Sequence, residues 1–135
     1  MPFLKRRGLL LEIILHSNKG VDRLSAFSPS TELLDALVLA VLAQEDTYGY
    51  KITKEIGAHF PISESTMYPV LHRLKKNGNL TTYDAPYQGR NRRYYHLTDA
   101  GQNVLEQYRS DWAAYAQQVT FFLERRTEND NTGIL

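Results

Sequence analysis

The chain contains no cysteine. That excludes a disulfide framework, a thiolate metal centre and a cysteine nucleophile, and it fits a reducing compartment. The four histidines, His16, His59, His72 and His96, are scattered without metal-ligand spacing. A glycine-rich phosphate loop and the nucleophile motifs of hydrolases are missing too. These absences predict a protein that is not an enzyme and that carries no metal or cofactor. Long apolar runs are also lacking. The one candidate leader, MPFLKRRGLLLEIILHS, is interrupted by Glu12, has no clean small-residue cleavage site and is far too short to span a bilayer. A cytoplasmic protein with no membrane partner is expected.

What is present reads as one ordinary soluble domain: 135 residues, 42% hydrophobic and 23% charged. The net charge of +1 hides an asymmetry. Residues 47–96 hold eight Lys and Arg against three Asp and Glu, a net of +5. Residues 1–46 are at −1 and residues 97–135 at −3. A basic centre suits a polyanion partner, and equally a solvated lysine-rich surface.

Along the chain, residues 1–29 differ from the rest and are expected to be a poorly ordered N-terminal extension. A second reading places this segment upstream of the native start. Asn18-Lys19-Gly20 back-translates to a purine run resembling a ribosome-binding site, and Leu24 follows at a suitable distance if encoded by TTG or CTG. The first strong helix is SPSTELLDALVLAVLAQED, capped by Ser30 or Thr31, with Leu33, Leu34, Leu37, Val38, Val41 and Leu42 at helical spacing. A second helix starts near Thr47 or Tyr48 and stops near Gly57; Pro61 breaks the chain, and Ser63 caps a third helix. That third helix turns Met67, Val70, Leu71 and Leu74 inward, and Gly78 suits its C′ position. Its Pro69 removes one backbone donor and could bend the front turn relative to the rest. NLTTYD and RRYYHLT flank a turn-rich APYQGRN link, which predicts a hairpin. Thr98 caps a final long helix, and residues 127–135 are expected to be a flexible tail.

Three helices, a hairpin and a long helix give a mainly α architecture: a winged helix-turn-helix over residues 30–98 and a long C-terminal helix over 99–126. In that layout the third helix enters a DNA major groove. Ser65, Thr66 and Tyr68 on its front turn suit base edges and phosphates, with Ser63 mainly a cap. Tyr48, Tyr50 and Lys51, and Arg90, Arg92 and Arg93 in the wing, are candidate phosphate contacts. A charged hairpin edge that resists aggregation is the plainer reading of those arginines. In strand geometry Arg92 shares a face with Tyr94, and Arg93 with Tyr95, which packs inward with Leu97.

The last helix carries Gly101, Leu105, Tyr108, Trp112, Tyr115, Val119 and Phe122, spaced 4-3-4-3-4-3. A heptad seam this long with little core to cover it predicts a homodimer, with Leu105, Tyr108, Trp112, Tyr115, Val119 and Phe122 at the interface. Two copies would present two reading helices to a two-fold symmetric, double-stranded DNA operator. The aromatics pack together there, or Tyr108, Trp112 and Tyr115 line a pocket for a planar aromatic or lipophilic small molecule. The rival from another class is a winged helix used for protein–protein contact.

YGYKI, STMYPVLHRLKKNG and GRNRRYYHLTDAG resemble the PadR family of bacterial transcriptional regulators. The likeness runs from about Leu33 to Phe122. It rests on Thr66-Met67-Tyr68-Pro69, on Leu71-His72-Arg73-Leu74, and on the hairpin end Tyr94-Tyr95-His96-Leu97-Thr98-Asp99-Ala100-Gly101. Asn79 and Leu80 depart from it, where the family runs into an apolar pair after the glycine. The resemblance implies a dimeric winged-helix repressor released from a promoter palindrome by a small molecule. The short C-terminal helix looks like the smaller, multidrug-responsive subfamily, with Trp112 at the matching pocket position.

Overall fold

The computed structural model describes residues 27–126. The expectations for the N-terminal segment up to residue 26 and for the tail 127–135 lie outside the described residues. The elements are α1 (Thr31–Gln44), β1 (Thr47–Tyr48), α2 (Gly49–Gly57), α3 (Glu64–Lys76), β2 (Leu80–Tyr87), β3 (Arg90–Leu97) and α4 (Asp99–Leu123). This is the expected mainly α winged helix-turn-helix with a long last helix.

Short polar side chains start the helices where the sequence places them. Ser30 Oγ accepts from the Leu33 N–H, Ser63 Oγ from the Thr66 N–H and Thr98 Oγ1 from the Gly101 N–H. The stop of α3 is a Schellman turn. The Gly78 N–H donates to the Lys75 carbonyl and the Asn79 N–H to the Leu74 carbonyl. Gly78 sits at φ +81°, in the left-handed region that glycine enters without a Cβ clash. Pro69 is inside α3, and the helix runs through it without a break. Its missing N–H leaves the Ser65 carbonyl without a helical donor on the exposed front turn.

The core joins Leu34, Val38, Leu39 and Leu42 of α1 to Ile52 and Ile56 of α2. It is completed by Met67, Val70, Leu71 and Leu74 of α3, with Leu80 and Leu105 closing it. Leu39 is fully buried, whereas Leu37 and Val41, expected inside, lie half-buried at its margin. Asp35 is buried on the same α1 face because Arg73 of α3 pairs with it, which ties the first helix to the third. Its charge is compensated in place rather than left bare.

Two expectations about the wing need correction. Thr47 and Tyr48 form a short strand, not the start of a helix, and pair with Tyr95 and Tyr94 of β3. The sheet is three-stranded and antiparallel, in the order β1-β3-β2. The hairpin is also longer than its turn-rich composition suggested. Ala85, Pro86, Tyr87, Arg90 and Asn91 are strand residues, and only Gln88 and Gly89 turn, both at positive φ. Pro86 is tolerated because β2 is an edge strand, where a missing N–H can face outward.

The start of α4 is clasped to the corner after α3. Thr98 donates its hydroxyl to the Gly78 carbonyl and its N–H to the Asn79 carbonyl. Gly101 lies directly against that Asn79 carbonyl: a Cβ there would stand 2.2 Å from the oxygen. This corrects the seam at its first two positions. Gly101 and Leu105 face the protomer's own core, with Leu105 only 2% exposed, so Leu105 is not available to a partner. Tyr108 is half-buried over the same core. Beyond it the helix leaves its domain, and Trp112, Tyr115, Val119 and Phe122 are exposed.

Candidate nucleic-acid interface

The front turns of α2 and α3 and the wing surround one concavity of about 570 Å³. Tyr48, Tyr50, Tyr68, Asp84, Arg92 and Arg93 are among the residues lining it. A second, of about 240 Å³, continues along α3 past His72 and Lys75 to Thr82 of β2, and shares Tyr68, Arg93 and Tyr95 with the first. α3 and the wing therefore bound a single grooved face.

Of the predicted contacts, Tyr48, Tyr50, Tyr68, Arg92 and Arg93 line this face, whereas Lys51, Ser63, Ser65, Thr66 and Arg90 line neither concavity. On the α3 front turn, Ser65 and Thr66 are exposed, and the Ser63 hydroxyl lies 2.8 Å from Ser65 Oγ and 3.2 Å from Thr66 Oγ1. Ser63 is thus spent on capping, while its two neighbours keep hydroxyl capacity facing outward. Tyr68 is half-exposed, and its ring packs across the helix-turn-helix on Gly49. Tyr50 is exposed with the Lys54 ammonium 5.5 Å above its ring. Lys51 Nζ donates to Glu45 Oε1 at 2.9 Å, which holds the ammonium pKa above its ordinary value.

The two faces of β3 separate as the alternation requires. Arg92 turns with Tyr94 and stacks its guanidinium over Tyr48 at 4.4 Å and Tyr87 at 5.2 Å, leaving its buried Nε without a hydrogen-bond partner. Tyr94 stacks on Tyr83 and meets Tyr48 edge-on. Arg93 turns toward α3, and its Nε lies 3.7 Å from Asp84 Oδ1 directly across the ladder. Tyr95 lies beside it, and burial pushes its hydroxyl pKa up. Arg90 is exposed just past the turn.

Sequence reasoning missed the group that fixes the wing to the body. Asp46, in the loop before β1, accepts from the Tyr83 hydroxyl at 2.8 Å and from His96 Nδ1 at 2.9 Å. Partners this far along the chain leave no spacing signal. Burial alone would raise the Asp46 pKa. The hydrogen bonds from His96 and Tyr83 and the His96 charge outweigh it and hold the carboxyl below its usual range. A depressed folded-state pKa gives stability that is present above the ordinary Asp value and is lost as pH falls through the folded one. Denaturant midpoints at pH 5 and pH 3, bracketing an ordinary Asp pKa of about 3.9, should therefore fall further for the native chain than for Asp46→Asn. Equal losses would exclude this role.

Among the described residues no cluster of His, Asp and Glu could hold a metal ion, and no helix is long and apolar enough to cross a membrane. On α4 the Trp112 and Tyr115 ring centroids are 6.2 Å apart, and Tyr108 is the half-buried member of that trio.

Residues 38–107, just over half of the chain, match the model of the transcriptional regulator PadR-like family. The chain is 34% identical over 83 residues to the transcriptional regulator Rv3488 of Mycobacterium tuberculosis, spanning 61% of this chain and 78% of that protein. A crystal structure of smu.1704 from Streptococcus mutans superposes with a TM-score of 0.72 at 38% identity, covering 77% of this chain and 98% of that one. A PadR family transcription regulator from Clostridium difficile superposes at 0.63 with 30% identity, covering 67% and 97%.

Proposed function

Because the chain belongs to the PadR-like family of transcriptional regulators, and so is a DNA-binding regulator and not an enzyme, we propose that it is a cytoplasmic repressor that binds a palindromic operator as a homodimer and releases it on binding a small molecule. The observation that carries this reading is the exposed stripe of Trp112, Tyr115, Val119 and Phe122 on α4, which extends past the domain's own core. A second copy would cover it and set two α3 helices for successive major grooves. Ser65, Thr66 and Tyr68 would read the groove, while Tyr48, Tyr50, Lys51, Arg90, Arg92 and Arg93 anchor the phosphates.

The proposed inducer is a planar aromatic or lipophilic molecule, of the kind that multidrug-responsive regulators bind, held by Tyr108, Trp112 and Tyr115 between the two copies. It can release DNA only by binding one spacing of the reading helices better than another. Footprinting on the DNA upstream of the gene tests the whole reading. Two protected half-sites about 34 Å apart are expected, with protection lost when a planar aromatic ligand is added. Tyr68→Ala should weaken that footprint about tenfold. An unprotected upstream region would overturn the proposal.

A further inference from the structure

Three of the four cations offered by the α2 front turn and the wing are already engaged within the chain. Glu45 holds Lys51, Asp84 pairs with Arg93, and Arg92 lies over the adjoining Tyr48 and Tyr87 rings. Of the four, only Arg90 has no such contact among the described residues. The two carboxylates are poor candidates for folding devices. The side chains of both pairs are 49–66% exposed, and ion pairs that open to water add little to stability. Asp84 lines the grooved face itself, an acidic group where a polyanion would dock.

We infer that Asp84 and Glu45 hold down sequence-independent DNA binding, and that Asp84 is a specificity-determining residue of the interface. This rests on the DNA-binding reading above. Affinity for DNA of any sequence comes from cations that neutralise phosphates and release their counterions. A cation paired to a carboxylate must first give up that pair, and the carboxylate is then left facing the phosphates. On random DNA no base contact offsets this, so the pairs stay closed. On an operator the α3 base contacts hold the wing against the backbone, and the exchange to phosphate goes forward. The pairs thereby widen the gap between operator and random DNA.

The test is a salt titration of binding to a random-sequence duplex, followed by fluorescence anisotropy. Asp84→Asn should bind about threefold to tenfold more tightly at low salt. Its plot of log affinity against log salt should steepen by about one unit per freed cation, or about two for a dimer. A purely structural role for Asp84 would not steepen that slope. Glu45→Gln should act in the same direction. Glu106→Gln removes a carboxylate that pairs with Arg109 within α4, outside α2 and the wing, so it should leave the slope unchanged. A slope for Asp84→Asn that matches the native chain, or an equal rise in Glu106→Gln, overturns the inference. A native chain that binds no duplex at low salt overturns the DNA-binding reading instead.

Discussion

Gly101→Ala is expected to destabilise the domain by about 3 kcal/mol, at the upper end of what overpacking one methyl group costs. The added Cβ would stand 2.2 Å from the Asn79 carbonyl oxygen and 2.7 Å from Leu97 Cδ1. The leucine can rotate away. The carbonyl cannot move freely, because it accepts the Thr98 N–H and follows the turn that ends α3. Relief therefore requires α4 to lift off its seat, which also unpacks Leu105. A urea titration should show a lower midpoint with the slope nearly unchanged. Gly57→Ala is the matched control. A Cβ there meets only the Ile62 carbonyl at 3.8 Å, an ordinary contact, so this variant should stay within about 1 kcal/mol of the native chain, on the stabilising side.

Val119→Glu combined with Phe122→Glu should leave the chain folded, monomeric and at least about a hundredfold weaker on its operator. Both residues are exposed in the single chain, Val119 at 37% and Phe122 at 62%, so the substitutions remove nothing from the domain's own core. In a dimer they would bury four carboxylates in an apolar seam, which a marginal interface does not tolerate. The loss on DNA follows from linkage. Two joined half-site readers gain a factor of 10² to 10⁴ over one, and a monomer forfeits it. Sedimentation and a footprint titration measure the two halves separately. A variant that stays dimeric would remove the seam from the interface, and a monomer with undiminished operator affinity would remove the need for two readers.

The parts of this fold that were legible in the sequence have local causes. Ser30, Ser63 and Thr98 each cap within three residues, and Gly78 answers a backbone demand at its own position. Met67, Val70, Leu71 and Leu74 face inward because helical spacing alone decides it. The misread parts depend on neighbours distant in the chain. A strand of two residues, Thr47 and Tyr48, is too short for any periodicity, and exists because β3 offers an edge. Pro86 and Gly89 together resemble a broad loop until the register shows β2 at the sheet edge. The 4-3 stripe lies on one helix, α4, but a stripe does not say what covers each turn; its first two positions serve the protomer itself. At the candidate interface the residue types were visible, whereas their engagement was not. Asp84 meets Arg93 only through the ladder register, and Asp46 reaches Tyr83 and His96 across 37 and 50 residues of chain.

The clasp between Thr98, Gly101 and the Gly78–Asn79 corner has a mechanical consequence. Two hydrogen bonds and the close seat of Gly101 tie the base of α4 to the end of α3. The 25 residues of α4 make a rod of about 37 Å. Pivoting such a rod by about 5° at its far end displaces its base by roughly 3 Å, comparable to one base-pair step along a duplex. A tilt of α4 about its Phe122 end would therefore carry the end of α3 with it, and with α3 the front turn that bears Ser65, Thr66 and Tyr68.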